Sequence, residues 1–214
     1  MERTLEILLI EDTPNHLADA RATAESLVAS GKRMHVTYVS TLQDAKDILA
    51  EREYDGIITD LFFPTGVESD MGLRFEIIGK PLVRSTIEDD YNQQMARGQL
   101  PRYELAADEW MIRGATPPSG VLIADYAVEH RIPAVVCTAA NHHGYAVEPL
   151  RVHIASHKVR VPGKGNKEYL VPMVDNELPD YSKESYASTE LGPKNWAGAF
   201  EALERVMTLY ETLE

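Results

Sequence analysis

The sequence predicts an α/β fold, a doubly wound parallel sheet with helices on both faces, and three observations carry the prediction. Apolar runs at Leu5 to Ile10, Gly56 to Ile58 and Ile132 to Cys137 lack polar-out alternation, as strands covered on both faces do. Segments of helical period separate them. Each run ends abruptly in an acid or a hydroxyl: Glu11 and Asp12, then Asp60, then Thr138.

In order along the chain, Leu5 to Ile10 is the first strand, and Pro14 and Asn15 open a helix with Leu17, Ala20, Ala24, Leu27 and Val28 at helical spacing, closed by Gly31. Met34 to Val39 alternates as a second strand. Ser40 or Thr41 caps the next helix, whose buried side is Leu42, Ala45, Ile48 and Leu49. The third strand follows within YDGIITDLFFP, Tyr54 to Pro64. Strands separated by helices in this way are joined by right-handed crossovers.

From 65 to 118 the pattern fails. A structureless loop of that length is improbable in a compact domain, so the segment reads as an inserted helical subdomain, with helices near 85 to 98 and 103 to 113. It carries nine Asp and Glu against six Lys and Arg, which favours contact with protein over contact with phosphate, and Tyr103 and Trp110 are candidate anchors. Regularity returns with a helix over Val121 to His130 and the strand Ile132 to Thr138. Beyond it a short helix at 142 to 150, a strand at 151 to 157 and a hairpin around PGKGN are expected. An amphipathic helix starts near Asn195, with Trp196, Ala199, Phe200, Leu203, Val206, Met207 and Tyr210 in phase. The whole reads as one domain, 1 to 214, interrupted by 65 to 118.

The 214 residues suffice for one sizeable core, and a formal charge of -13 argues against non-specific binding of nucleic acid or anionic membrane. The lone cysteine, Cys137, lies in an apolar run and reads as core, in keeping with a reducing compartment. No apolar stretch approaches the roughly 18 residues of a membrane span, and MERTLEILLI lacks the apolar stretch of a signal peptide. A cytoplasmic location is expected.

In open α/β sheets, ligands and chemistry collect at the carboxyl ends of the strands. Where the first, third and fourth strands are neighbours, Glu11, Asp12, Asp60 and Thr138 share one crevice, and three crowded carboxylates call for a cation. Oxygen ligands with room for water and a phosphate suit Mg²⁺. Asp60 is then a candidate nucleophile toward phosphorus and Thr138 a hydrogen-bond donor to a phosphoryl oxygen. His142 and His143 lack further Cys or His at ligand spacing, and His153 and His157 fall on a segment read as strand, so both pairs read as structural.

ILLIEDTPNHLADA, YDGIITDLFFP with proline four after the acid, SG before the third helix, and IPAVVCTA together resemble the receiver domain of two-component response regulators, over residues 5 to 64 and 119 to 140. The resemblance implies a flavodoxin-like five-stranded sheet of order 2-1-3-4-5. It also implies that Asp60 accepts a phosphoryl group from a histidine kinase or phosphotransfer protein, that Mg²⁺ is held by Glu11, Asp12, Asp60 and the Phe62 carbonyl, that Thr138 is the switch hydroxyl, and that the output is a protein partner. The family's lysine after the fifth strand has its nearest spacing in Lys158, twenty residues after Thr138, but Val159 follows where proline is usual. Lys164, Lys167 and Lys194 are the other candidates, Lys194 because it immediately precedes the last helix. With Lys158 as the lysine, the switch aromatic position is Ala155. A stand-alone phosphorelay module is the reading, without a visible DNA-binding appendage. The alternatives are a pseudo-receiver that binds protein without phosphorylation and a Mg²⁺-dependent phosphohydrolase, the last disfavoured because no aspartate stands two residues after Asp60.

Overall fold

The computed structural model describes residues 3–64, 66, 119–139, 148–161, 167–174 and 193–213. The expected inserted subdomain over 65 to 118, apart from Gly66, and His142, His143, Tyr103, Trp110 and Lys164 lie outside these residues. The elements are β1 (Leu5–Ile10), α1 (Pro14–Ala29), β2 (Met34–Val39), α2 (Leu42–Glu51), β3 (Gly56–Thr59), α3 (Gly120–Glu129), β4 (Ala134–Cys137), α4 (Glu148–Ser156), β5 (Lys158–Arg160), β6 (Lys167–Tyr169), β7 (Met173–Val174) and α5 (Trp196–Glu211).

Five strands form one parallel sheet of order β2-β1-β3-β4-β7, consistent with a flavodoxin-like fold. The two-residue side-chain period of a strand divides the apolar runs between two cores. Leu8, Ile10, Ile57, Ala134 and Val136 pack with Leu42, Ala45 and Leu49 of α2, Val121, Ile123, Ala124 and Ala127 of α3, and Leu150 and Ile154 of α4. Ile7, Leu9, Ile58, Val135 and Cys137 pack instead with Ala20 and Ala24 of α1 and with Trp196, Ala199, Phe200 and Leu203 of α5. Burial on both faces explains the apolar runs Ile7 to Ile10 of β1, Gly56 to Ile58 of β3 and Ala134 to Cys137 of β4. At about 1.5–3 kcal/mol for each fully buried Leu or Ile, these strands carry much of the stability and fix the register. Among the described residues no helix is long and apolar enough to cross a membrane.

Two expectations after Thr138 need correction. The strand expected at 151 to 157 is helical, as α4 over Glu148–Ser156. Its buried residues Leu150 and Ile154 are spaced i, i+4, and this helical period outweighs the β-branched Val152 and Ile154 that suggested a strand. The helix expected at 142 to 150 therefore coincides with α4 only at 148 to 150; the part before Glu148 lies outside the described residues. The expected hairpin is present, with β5 and β6 antiparallel and Lys158 opposite Tyr169, but it stands apart as a two-stranded sheet. The last place in the parallel sheet falls to Met173–Val174.

Caps decide where the strand ends are held. Thr41 accepts a hydrogen bond from the Asp44 backbone N–H at 3.0 Å, and Asn195 Oδ1 accepts one from the Gly198 N–H at 2.9 Å, so α5 starts at Trp196, with its cap Asn195 next to Lys194. The start of α3 is fastened to the β3 end: Ser119 Oγ donates to the Phe63 carbonyl at 2.8 Å and the Gly120 N–H to the Leu61 carbonyl at 3.1 Å. A Cβ at Gly120 would stand 2.1 Å from the Asp60 carbonyl oxygen, so the close approach of α3 to Asp60 requires glycine there.

Replacing Gly120 with Ala is expected to destabilise the domain by about 1–3 kcal/mol or more, because the obstacle is backbone that cannot rotate away. Denaturant unfolding of Gly120→Ala checks this; an unchanged midpoint would show that α3 does not seat as described.

Candidate functional site

The parallel register brings the ends of β1, β3 and β4 side by side, and the side chains there form a buried polar cluster. Glu11 is fully buried, Asp60 is 7 % exposed, Thr138 1 % and Lys194 8 %. The Asp60 N–H bonds the Ile10 carbonyl at 2.9 Å, which fixes Asp60 beside the acids that follow β1. The Thr138 N–H bonds Val174 at 3.0 Å and so continues the β4–β7 ladder by one residue.

Lys194 joins the two buried acids. Its Nζ donates to Glu11 Oε2 and lies 2.8 Å from Asp60 Oδ1. The same ammonium stands 5.5 Å from the centre of the Trp196 ring, within cation–π range. Other donors position the acids: the Leu61 N–H bonds Asp60 Oδ1 at 2.7 Å, and the Thr13 N–H bonds Glu11 Oε1 at 2.9 Å. Both Leu61 and Lys194 therefore engage Oδ1 of Asp60. Buried His16, on the first turn of α1, has Nδ1 3.8 Å from Glu11 Oε1.

Formal charge shows what the cluster lacks. Glu11, Asp12 and Asp60 with Lys194 give -3 + 1 = -2, and burial makes that imbalance expensive. The Asp60 carboxyl is accordingly pushed up to about 6, first by burial and then by Glu11, against the opposing pull of Lys194. Asp12 is also raised, by burial and then by Glu11. For Lys194, burial works to lower the pKa, but the Asp60 and Glu11 carboxylates outweigh it and the net direction is up, so the ammonium stays charged.

The cluster fits a divalent cation. One carboxylate oxygen each from Glu11, Asp12 and Asp60 lies within 4.8 Å of the others, the donors are hard oxygens, and the charge deficit has the right sign and size. Phe62, expected to add a carbonyl, follows Asp60 by two residues, and its side chain packs on the core.

Of the expected residues, Glu11, Asp12 and Asp60 come together and Thr138 ends the neighbouring strand. Lys158 does not join them. It is exposed on β5 with its ammonium 4.5 Å from the centre of the Tyr169 ring, and Lys167 is exposed on β6. Lys194 is the lysine at the acids, because capping by Asn195 and packing of Trp196 hold the residue before α5 against the β1 and β3 ends. Spacing from Thr138 pointed to Lys158 because the extra hairpin, α4 and the segment before α5 lengthen the route to the last helix. Ala155, the position three before Lys158, lies within α4. His16 and Trp196 were not foreseen as neighbours of the site; the signal for His16 was its place one turn into the helix that follows the acidic pair.

Comparison of the chain with protein-family models, with curated proteins and with solved structures gives no match.

The pH dependence follows from Asp60. Its folded pKa of about 6 lies above the ordinary aspartate value near 3.9, so between those values the folded protein holds a proton that the unfolded chain has released. Stability of the metal-free protein is therefore expected to fall as pH rises from about 4 to about 6, by up to about 3 kcal/mol, with this contribution constant above that window. Unfolding in EDTA at a series of pH values, compared with Asp60→Asn, measures it. The variant should lack this part of the slope; identical slopes in the two proteins would contradict the assignment. Lys194→Met, which strands two buried acids, should cost about 3–5 kcal/mol at neutral pH in the same assay.

Proposed function

We propose that this protein is a receiver-like signalling module that accepts a phosphoryl group on Asp60 with the help of Mg²⁺ and changes its hold on a protein partner as a result. The observation that carries the reading is the buried set Glu11, Asp60 and Lys194 at adjacent strand ends, with Asp12 and Thr138 alongside. A stabilising ion pair alone would need one acid and one base; a second and a third acid are explained by a divalent cation, and Lys194 and Thr138 beside them by an incoming phosphoryl group.

The residues divide the chemistry as follows. Leu61 and Lys194 occupy Oδ1 of Asp60, which leaves Oδ2 to attack the phosphorus of a phosphohistidine or small-molecule donor. An O–P bond forms as the donor's N–P or O–P bond breaks, and the departing group keeps the electron pair and takes a proton from solvent. Lys194 offsets charge on the transferred group, and the Thr138 hydroxyl, one residue beyond β4, donates to one of its oxygens. Bound Mg²⁺, held by Glu11, Asp12 and Asp60 with the Phe62 carbonyl, would supply further positive charge toward the phosphoryl oxygens.

The switch that follows would run through α3, whose first residue packs against the Asp60 carbonyl, and through Thr138. Phe63 and Ser119, which hydrogen-bond to each other next to the Asp60 backbone, flank residues 65 to 118 in sequence, and we propose that segment as a lid or docking surface for the donor or the output partner.

A small-molecule phosphodonor with Mg²⁺ should add one phosphate, stable in acid and labile in base, to the wild-type protein and none to Asp60→Asn, as read by intact mass. Lys194→Met should slow the addition by at least about tenfold, the scale of one lost electrostatic contact. Replacing 66 to 117 with a Gly/Ser linker should leave a folded domain with an altered rate of phosphorylation or partner binding. Mg²⁺ binding without any phosphorylation would overturn the phosphoacceptor reading in favour of a module that signals by binding alone.

A further inference from the structure

We propose that Asp125, His153 and His157 form a binding site for a divalent transition metal of the zinc class, tying α3 to α4. His153 lies on the last turns of α4 and His157 is the residue just beyond it; Asp125 faces both from α3. The Nε2 atoms of the two imidazoles stand 2.7 Å and 3.1 Å from the same oxygen, Asp125 Oδ1. The three potential ligand atoms lie within 4.8 Å of one another, and the two rings meet edge to face at 83° with centres 5.4 Å apart. Zinc bonds of about 2.0–2.2 Å put neighbouring ligand atoms roughly 3.4 Å apart, so widening the 2.7 Å and 3.1 Å separations by about 0.7 Å and 0.3 Å admits the ion.

The surroundings suit a metal site with an open position. The His153 side chain is 5 % exposed, backed by its helix neighbours Leu150 and Ile154 in the core, while Asp125 and His157 are 22 % and 20 % exposed and give the cluster an edge on solvent. Three protein ligands and a fourth, solvent-facing position are a zinc-type arrangement. Both imidazoles turn Nε2 toward one carboxylate oxygen, the convergence a shared ion requires, while the Nδ1 atom of His153 is buried without a hydrogen-bond partner among the described residues. Nitrogen donors also separate this cluster from the one at the strand ends, since imidazole suits zinc and its neighbours whereas Mg²⁺ takes oxygen. The inference is independent of the proposed function. A metal here would set the spacing between α3, whose first residue packs against Asp60, and α4, the helix that follows Thr138 in the chain.

The test is titration of the full chain with Co²⁺, followed by displacement with Zn²⁺. One equivalent of Co²⁺ should give visible d–d absorption, persist in millimolar Mg²⁺ and in Asp60→Asn, and be displaced by Zn²⁺; Zn²⁺ should also raise the unfolding temperature. His157→Ala, at a partly exposed position at a helix end, should weaken binding by at least about tenfold, and Asp125→Asn should weaken it as well, with circular dichroism verifying the fold of each. Loss of the Co²⁺ spectrum in both folded variants supports the site. Wild-type affinity in either variant, no saturable binding by the wild-type protein, or loss of binding in Asp60→Asn would overturn it.

Discussion

Two carboxylates and one ammonium, taken out of water together at the ends of β1 and β3, are the constraint on which the rest of this structure depends. Isolated burial of either Glu11 or Asp60 would be prohibitive, and Lys194 makes it tolerable by bonding to both. The fold is arranged to hold these three in register. Parallel pairing sets Ile10 beside Thr59 and so aligns the residues that follow them, the N-cap at Asn195 fixes where α5 begins, and Trp196 anchors that start in the core. The cluster still carries more negative than positive charge, and burial raises the Asp60 carboxyl, with Glu11 adding to it against the pull of Lys194. A site poised in this way favours any ligand that brings cationic charge with it.

The strand ends also explain how a local event would reach the surface. Gly120 sits against the Asp60 backbone, Ser119 is bonded to the Phe63 carbonyl, and Thr138 closes β4, so the elements bordering the site have little slack. A change of charge at Asp60 alters the balance that Lys194 maintains between β1, β3 and α5. Interiors packed at this density respond to such changes by discrete shifts of whole elements.

Much of the fold was legible because its strands are buried on both faces. Apolar runs ending in an acid or a hydroxyl gave β1, β3 and β4, and helical spacing gave α1, α2, α3 and α5 to within a residue or two. The acids could be read as a site because they end those same strands. The partner lysine was harder, since its place depends on a helix cap and on how much chain intervenes after Thr138, and neither leaves a fixed spacing. The segment at 151 to 156 was misread as strand because the β-branched Val152 and Ile154 alternate with Arg151 and His153, while the buried pair Leu150 and Ile154 keeps helical phase. That error also hid the convergence of His153 and His157 on Asp125, which needs a helix to put residues four apart on one face.

The central claim is that Lys194 leaves the three acids short of positive charge, so that a divalent ion binds beside the ammonium and against its repulsion. Calorimetric titration of Mg²⁺ into the wild-type protein and into folded Lys194→Met, at neutral pH and without any phosphodonor, tests this most directly. The account predicts tighter Mg²⁺ binding in the variant, by about tenfold or more, because a unit charge within about 4 Å of the ion is removed. Equal or weaker binding in Lys194→Met, with Asp12→Ala leaving the affinity unchanged, would contradict it.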